Sequence, residues 1–363
     1  MKWLGRALAL LAISAGTALW VPVSSASADS QLPFVIHMSS TGSDAGYGTR
    51  QATAIRSLRR AQEILRSLQP DRDVEIRIAP GTYPSAPLVW TYFQSGHTIS
   101  LMPADYEPGD PVSGIAGRPV FQGGGAGFWF DARLPSGHPG GTIGMRFYYL
   151  RVEGYSYGGI RFHGGTEEKL GLLRPRGQGL NGNTVYGMDF RDMGSMHAGT
   201  HGYGGIDLVN SSANTIRNNH FSRLENDGGG QGLIHGVYLA HHSKQNVIAH
   251  NRFTDVTGAP LRTRNDSNDN DFYDNTFSRT GSTAQLQDWF CDSGCAAQND
   301  KPRECASHGN RFHDNDNVSG YPRVPTIPNA VDDYGLATGN QYTAGGSPCY
   351  NNRQLRIISW GNR

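Results

Sequence analysis

The feature that most constrains this chain is an eight-residue pattern that occurs three times between residues 214 and 277. Each copy begins with Asn, has Ile or Phe at its third position and Asn at its sixth, and ends with Phe. A looser copy fills residues 183–190, and a remnant fills residues 309–312. The four copies begin at residues 183, 214, 246 and 270, so they lie 31, 32 and 24 residues apart. Repeats of this period are typical of stacked coils.

The repeated unit consists of short β-strands, because apolar and polar residues alternate and Asn, Gly and Asp interrupt the pattern every few residues. A second strand motif recurs at residues 159–162, 205–208, 236–239 and 260–263. One coil therefore has at least two strands in register with the coils on either side. Asn at a repeated corner suits a turn residue that tolerates left-handed backbone angles and bonds to its stacked copies. The sequence predicts a parallel β-helix with coils ~4.8 Å apart.

On these repeats the chain resembles the right-handed parallel β-helix proteins of the pectate-lyase-like superfamily, over roughly residues 33–320. The resemblance implies an all-β fold, a right-handed solenoid. We expect one β-helix domain at residues 29–320 and a C-terminal segment, residues 321–363, that packs along its outside. The three- and four-residue spacing of apolar residues predicts an α-helix at about residues 53–68, which would cap the open N-terminal end of the core.

Residues 1–28 have the composition of a secretory signal peptide. Lys2 and Arg6 precede an apolar run, and small residues at 26–28 provide a cleavage site before Asp29. The alternative is a membrane anchor, but the run is short and contains Gly, Ser, Thr and Pro. We therefore expect a secreted, extracellular protein that is not held in a membrane after cleavage.

The cysteine content fits an exported protein. The chain has four cysteines, an even number that suggests two disulfides whose pairing the sequence leaves open: Cys291, Cys295, Cys305 and Cys349. A structural zinc site is disfavoured, because the spacing lacks the paired Cys-x-x-Cys form. One of the two bonds would join Cys349 to the coils and pin the C-terminal segment.

The charge balance bears on the partner. The chain has 32 Lys and Arg against 31 Asp and Glu, and residues 1–28 contain two of the basic residues, so the formal charge after cleavage is −1. A near-neutral total argues against nucleic acid as a partner, which favours a strong basic excess. We expect a monomer that binds a polysaccharide.

One face of the solenoid is predicted to carry a row of polar side chains. Neighbouring side chains of a strand face opposite sides, so the residue after each inward apolar residue of the second motif points outward. On four successive coils these outward residues are Arg161, Asp207, Tyr238 and Arg262. They are flanked by His163, His235, His241, His242, Arg264 and Asp266. Two long loops, residues 191–203 and 222–234, would wall a groove across Tyr238.

This row suggests a lyase that cleaves an acidic, uronate-containing polysaccharide by β-elimination. Tyr238 would act as acid or base with His235 or His241 as its partner. Arg262, or alternatively Arg161 or Arg264, would stabilise the developing negative charge. These considerations predict Tyr238, His235 and Arg262 as catalytic residues. The predicted substrate-binding residues are Arg161, Asp207, His241, His242, Arg264 and Asp227.

Three alternatives remain at this stage. A glycoside hydrolase would use carboxylates, and candidates exist at Asp207, Glu225, Asp227 and Asp266, although the Asn-Thr-Asp and Gly-Asp-Asp motifs of β-helix polygalacturonases are missing from the sequence. A C5-epimerase would share the proton abstraction of a lyase. A non-catalytic carbohydrate-binding or adhesion protein would use the same side chains for contact alone.

A bound metal is a further hypothesis. Residues 265–271 are rich in Asn and Asp, the oxygen ligands that Ca²⁺ prefers, and the related lyases often use calcium. No loop of fixed ligand spacing is present, and the same residues suit the corner of a tight turn. We therefore assign no metal ligands and no certain cofactor.

Overall fold

The computed structural model describes residues 32–110, 117–135, 137–167, 172–173, 179–281, 283–301, 303–322, 327–331 and 357–363. Apart from Leu32, these residues belong to one compact unit, Pro33–Arg363. The predicted signal peptide, residues 1–28, lies outside the described residues. So does Cys349, which is predicted to form one of the two disulfides.

Three parallel sheets run the length of this unit, and each regular coil contributes one short strand to each sheet in turn. Sheet A contains Phe34–Met38, Val74–Ile78, Ile99–Pro103, Met145–Tyr148, Thr184–Tyr186, Thr215–Arg217, Val247–Ala249, Asp271–Tyr273, Asn310–His313 and Ile357–Trp360. Sheet B contains Thr82–Pro84, Val120–Gln122, Arg151–Glu153, Asp189–Met193, His220–Leu224, Arg252–Val256, Thr276–Thr280 and Asp316–Asn317. Sheet C contains Leu88–Trp90, Phe128–Arg133, Gly158–His163, Gly204–Val209, His235–Ala240, Leu261–Arg264, Leu286–Trp289 and Ala330–Val331.

The remaining elements are small. Gly141–Thr142 pairs with Leu180–Asn181 in parallel, and Thr166–Glu167 pairs with Leu172–Leu173 in antiparallel orientation. The α-helices are Leu58–Leu68, Ser195–Ala198 and Ser293–Asn299, and the described 3₁₀-helices are Gln51–Thr53 and Gly228–Leu233. The predicted parallel β-helix is confirmed, with three strands in a regular coil where the two motifs had indicated at least two.

The core consists of inward side chains that stack directly on their counterparts in the next coil. In sheet B the Phe that ends each repeat forms a column, with ring centroids 5.2, 4.8 and 5.1 Å apart for Phe190, Phe221, Phe253 and Phe277 in turn. All four rings are fully buried. Stacked aromatic rings contribute beyond their buried area, so the repeated Phe is a main source of cohesion between coils.

Two ladders of buried asparagines fix the corners of the coils. At the corner between sheets C and A, Asn214 donates from its backbone N and its Nδ2 to Asn246 Oδ1, at 3.0 and 2.7 Å. At the corner between sheets A and B, Asn219 donates in the same way to Asn251 Oδ1, both at 3.0 Å. The first ladder joins Asn183, Asn214, Asn246, Asn270 and Asn310, and the second joins Asn219, Asn251, Asn275, Asn315 and Asn362. Each amide satisfies buried backbone groups that the turn leaves without strand partners.

The predicted helix begins later than expected, at Leu58 rather than at residue 53. Ile55 forms a β-bridge with Met38, which keeps this segment extended. Ser57 then caps the helix, because its Oγ accepts from Arg60 N at 3.2 Å. The Gln62 side chain donates to the Val89 carbonyl, within the first strand of sheet C, and accepts from Thr91 N, just after that strand. The helix thus lies beside a terminal strand, and its role as the cap of the core stays a prediction.

The predicted end of the solenoid at residue 320 is wrong. Ala330–Val331 extends sheet C, and Ile357–Trp360 forms the tenth strand of sheet A. Asn362 continues the second asparagine ladder, since its Oδ1 accepts from Asn315 Nδ2 at 2.9 Å. The C-terminal residues therefore complete the coil stack rather than only packing along its outside.

Cys291 and Cys295 form a disulfide at the start of the short helix Ser293–Asn299. The described part of the chain contains no helix that is long and apolar enough to cross a membrane.

We predict that Asn251→Ala destabilises the protein by about 2–4 kcal/mol. The substitution removes the acceptor of two buried Asn219 donors, and each unsatisfied buried donor costs about 1–3 kcal/mol. The free energy of unfolding in urea measures the change. Arg252→Ala, at an exposed position of the same coil, serves as the control and is expected to change the free energy by less than about 0.5 kcal/mol. Equal stability of the two variants would contradict a structural role for the ladder.

We also predict that Gly205→Ala destabilises the protein, by about 1–3 kcal/mol, through overpacking. A Cβ atom at Gly205 would lie 2.5 Å from Cδ1 of the buried Phe221 ring. Gly229→Ala is the matched control, because a Cβ atom there meets nothing within 4 Å. Thermal melting of both variants tests the prediction, which fails if Gly205→Ala melts at the wild-type temperature.

Candidate functional site

Sheet C presents the predicted row of polar side chains on its outer face. Arg161, Asp207, Tyr238 and Arg262 are register partners on four successive strands, as the sequence predicted. The structure adds Asp131 before them and Gln287 after them in the same row. A neighbouring outward row places Arg133, His163, Arg264 and Trp289 two residues further along their strands. Between His163 and Arg264 this second row passes through Val209 and Ala240, so its polar residues lie towards the two ends of the face. Adjacent strands lie ~4.8 Å apart.

The first part of the row is an ion-pair cluster around Asp131, which is 5% exposed. Arg161 forks onto its carboxylate, with Nε donating to Oδ1 at 2.8 Å and Nη2 to Oδ2 at 2.6 Å. Arg133 Nε donates to Oδ2 at 2.6 Å. Burial alone would raise the pKa of Asp131, but the two arginines outweigh burial and hold this pKa below its usual value. Asp131 is therefore an ionised anchor for the arginines.

Asp207 occupies the next coil and lies in a different environment. It is 5% exposed, and its Oδ1 is buried without a hydrogen-bond partner among the residues that the structure describes. The carboxyl folds back along its strand, because a Cβ atom built on Gly204 would lie 2.3 Å from Asp207 Oδ1. Burial raises the pKa of Asp207 to about 7, with Arg161 opposing and Asp131 reinforcing the rise. Asp207 thus titrates near neutrality.

Tyr238 is held by a chain of polar contacts. Arg264 Nη1 donates to the Tyr238 hydroxyl at 3.3 Å. Glu304 fixes Arg264 in turn, accepting from Nε at 2.8 Å and from Nη2 at 2.6 Å. The Arg264 guanidinium also lies over the Trp289 ring, 4.4 Å from its centroid. Burial raises the pKa of Tyr238 against the influence of Arg264, so the phenol keeps its proton at neutral pH.

His235 lies beneath this surface rather than on it. It is 2% exposed, its Nδ1 donates to the carbonyl of Ala259 at 2.7 Å, and its ring centroid is 5.3 Å from that of Tyr238. Burial lowers the pKa of His235 to about 3, and Arg262 contributes to the decrease. The imidazole is therefore neutral, with Nε2 as its acceptor nitrogen.

Arg262 stands at the rim of the site. Its Nη1 donates to the Gly232 carbonyl at 3.4 Å, and its Cζ lies 5.5 Å from the centroid of the Trp289 ring. Gly232 belongs to the loop predicted to wall the groove. The structure thus brings Tyr238, His235, Arg262 and Arg264 together, with Arg161 and Asp207 on the neighbouring coils.

His241 and His242 lie at the corner after their strand, both with left-handed backbone angles. His241 Nδ1 accepts from Asn265 Nδ2 at 2.9 Å, and burial lowers the pKa of His241 to about 4. His242 Nδ1 pairs with Asp266 Oδ2 at 2.7 Å. Burial alone would raise the pKa of Asp266. The hydrogen bonds from His242 and Asn268 outweigh burial and hold this pKa below its usual range. Both histidines take part in corner contacts between coils.

Asp227 is separated from the row by its loop. Its Oδ1 accepts from Ser195 Oγ at 2.5 Å, which links the two long loops to each other. Beside it, Glu225 accepts from Tyr321 Oη at 2.9 Å and pairs with His197 Nε2 at 2.8 Å. The predicted wall therefore exists as a bonded pair of loops, but both of these carboxylates bond to residues of the loop 191–203.

The Asn- and Asp-rich stretch at residues 265–271 forms a corner of the solenoid. Asp266 bonds to His242 and Asn268, and Asp271 bonds to Arg311 and His313. Within the described ranges there is no group of three or more His, Cys, Asp or Glu residues suited to a metal ion.

Sequence reasoning missed four residues of the site. Asp131 and Gln287 continue the outward row, and Trp289 is the register partner of Arg264, so the strand pattern one coil further in each direction would have indicated them. Glu304 had no such signal. It enters from the loop after the helix Ser293–Asn299, where Cys291 N also donates to its Oε2 at 2.9 Å.

Comparisons with known proteins agree with the architecture. The sequence model of the family described as "Right handed beta helix region" matches residues 171–343. The chain has the fold of a right-handed parallel β-helix. No curated protein matches the sequence of this β-helix.

Among solved structures, this β-helix is similar to the alginate lyase from Paenibacillus sp. str. FPU-7, with 15% identity, a TM-score of 0.46, and 91% of this chain and 94% of that chain covered. Pectate lyase Pel9A is 13% identical, with a TM-score of 0.39 and coverage of 86% and 82%. The A-module of the Azotobacter vinelandii mannuronan C-5 epimerase AlgE6 is 12% identical, with a TM-score of 0.30 and coverage of 78% and 95%. Identities this low carry no activity from those proteins to this one.

The raised pKa of Asp207 predicts a specific pH dependence of stability. Between about pH 4, where an unfolded Asp ionises, and about pH 7, the unfolded state releases a proton that the folded state retains. The wild type should therefore lose about 4 kcal/mol across this interval relative to Asp207→Asn. Urea unfolding at pH 4, 5.5 and 7 measures the difference, with the exposed Asp300→Asn as control. A constant difference between wild type and Asp207→Asn would refute the raised pKa.

Proposed function

We propose that this protein is a secreted polysaccharide-processing enzyme, a lyase that cleaves a uronate-containing polysaccharide by β-elimination on the outer face of sheet C. The observation that carries the proposal is the contact of Tyr238 with Arg264, which Glu304 and Trp289 hold in place. A phenol that keeps its proton beside a fixed guanidinium is suited to give that proton to a leaving oxygen. The guanidinium then stabilises the phenolate that forms.

The arginines of this face suit an acidic polymer. A lyase must neutralise the uronate carboxylate before the adjacent carbon can lose its proton, and a guanidinium offers paired donors in the geometry of a carboxylate. Arg262 is held at the rim by the wall loop and Trp289, and Arg161 lies three strands away in the same row. We assign Arg262 to the carboxylate at the cleavage point, because the paired donors of Arg161 are already bonded to Asp131.

The neutral His235 supports Tyr238 from below. Its ring packs against the Tyr238 ring, and its proton is committed to the Ala259 carbonyl. With a pKa of about 3, His235 carries no charge at neutral pH and so adds no competing cation beside the phenol. We assign it a positioning role for Tyr238.

The carboxylate arrangement disfavours a glycoside hydrolase. That reaction needs one carboxyl group that carries a proton and a second that is ionised, on either side of the glycosidic bond. Asp131 is the nearest carboxylate to Asp207 in the row, but Arg161 and Arg133 occupy both of its oxygens. Asp227 and Glu225 bond within the loops.

The test is the absorbance of an unsaturated uronate while purified protein is mixed with a panel of acidic polysaccharides, with and without calcium. We expect absorbance to rise for at least one polymer and Tyr238→Phe to lower the rate by at least about 100-fold. Tyr273→Phe is the control, because it is the same substitution at a tyrosine of sheet A rather than of sheet C.

Each other outcome contradicts the lyase assignment in a different way. Release of reducing ends without the absorbance would indicate hydrolysis. Exchange of the C5 hydrogen with solvent without cleavage would indicate epimerisation. Binding with no product from any polymer would indicate a carbohydrate-binding protein.

A further inference from the structure

We propose that Asp207 is the base of this reaction and Tyr238 its acid, and that the substrate is therefore a uronate whose C5 hydrogen and O4 lie on the same face of the sugar ring. The inference rests on the proposed lyase function. It assigns Asp207, otherwise a binding residue, to the chemistry, and it selects between stereochemical classes of substrate.

The placement of the two groups carries the argument. Asp207 and Tyr238 are register partners on adjacent strands of sheet C, and both point to its outer face. The carboxyl of Asp207 folds back over Gly204, whereas the hydroxyl of Tyr238 leans toward Arg264. No hydrogen bond joins the two groups among the residues that the structure describes, so neither group occupies the other.

Asp207 has the properties expected of a general base. It is 5% exposed, and its Oδ1 is a buried acceptor without a donor in the described part of the chain. A buried carboxyl oxygen without a partner is costly, and functional sites are where such costs are retained. Because Asp207 titrates near neutrality, a useful fraction is ionised at neutral pH and still basic enough to accept a carbon-bound proton.

The step balances on these groups alone. The C5–H bond breaks, its proton passes to the Asp207 carboxylate, and its electron pair forms the double bond between C4 and C5. The C4–O4 bond breaks in turn, and O4 takes the proton of the Tyr238 hydroxyl. The products are an unsaturated uronate, a new sugar hydroxyl, protonated Asp207 and a phenolate beside Arg264. Return of the proton from Asp207 to Tyr238 through solvent restores the enzyme.

The geometry of the sheet selects the substrate. Both groups project from one surface, so they reach a bound sugar from the same side. In manno- and gluco-configured uronates the C5 hydrogen and O4 lie on the same face of the ring. In galacto- and gulo-configured uronates they lie on opposite faces, and the acid and base would have to approach from opposite sides. The site therefore fits the first pair.

The test measures initial rates on four polymers: polymannuronate, a glucuronate-containing polymer, polyguluronate and polygalacturonate. We expect the first two to be cleaved at least about 100-fold faster than the last two. Elimination only from the galacto or gulo polymers would overturn the stereochemical inference while the lyase function stands. Failure of all four would overturn the lyase function and this inference with it.

The role of Asp207 is tested on the preferred polymer. We expect Asp207→Asn to lower kcat by about 10²–10⁴-fold with KM within about 3-fold, and to remove the acidic limb of the kcat/KM profile near pH 7. Asp300→Asn should change neither. A folded Asp207→Asn variant that keeps its rate, or keeps the acidic limb, would show that another group is the base.

Discussion

The hydrogen bond from one buried asparagine to the next is the interaction on which the rest of this structure depends. Each amide oxygen accepts two donors from the asparagine of the adjacent coil, as Asn246 does from Asn214 and Asn251 from Asn219. A parallel strand that slipped by one residue would turn its inward side chains to solvent. With a ladder at each of two corners, such a slip would also break buried bonds, so the register of all three sheets is fixed.

Because the register is fixed, residues that are far apart in the sequence lie next to each other in rows on the surface. Asp131 and Gln287 are far apart in the chain, yet they lie in one outward row because each coil adds one residue to it. From Met145–Tyr148 onward the turns between sheets A and B keep a length of two residues, while the connections at the other corners vary, and two connections between sheets B and C hold the bonded loops that contain Ser195 and Asp227. The solenoid thus provides a rigid floor, and these two connections provide the wall, as expected where function is carried on a repeated scaffold.

Charge on the floor is divided between locked and titratable groups. Asp131 and Glu304 are each forked by an arginine, which fixes Arg161 and Arg264 on this surface. Among the residues that the structure describes, Asp207 and His235 have no partner of opposite charge at hydrogen-bond distance, and Tyr238 has only its contact with Arg264. Burial therefore favours the neutral forms of Asp207, His235 and Tyr238. These titratable side chains lie next to arginines that the structure holds in place.

The sequence by itself determined the architecture and one row of the site. Asn at one corner, Phe on one strand and Gly before Ile or Val on another recur in each coil, so the strand type, the stacking and the outward positions of Arg161, Asp207, Tyr238 and Arg262 followed from periodicity. The helix start at Leu58 did not, because the bridge between Ile55 and Met38 is a tertiary contact that overrides helical spacing. Nor did the final strand Ile357–Trp360, which lacks the full repeat but finds an edge to pair with. Only the tertiary structure decided that Glu304 holds Arg264, that His235 is enclosed and that Asp207 Oδ1 is buried with no partner in the described part of the chain. Those properties depend on desolvation and on loops that return from distant positions, and neither is written in a local pattern.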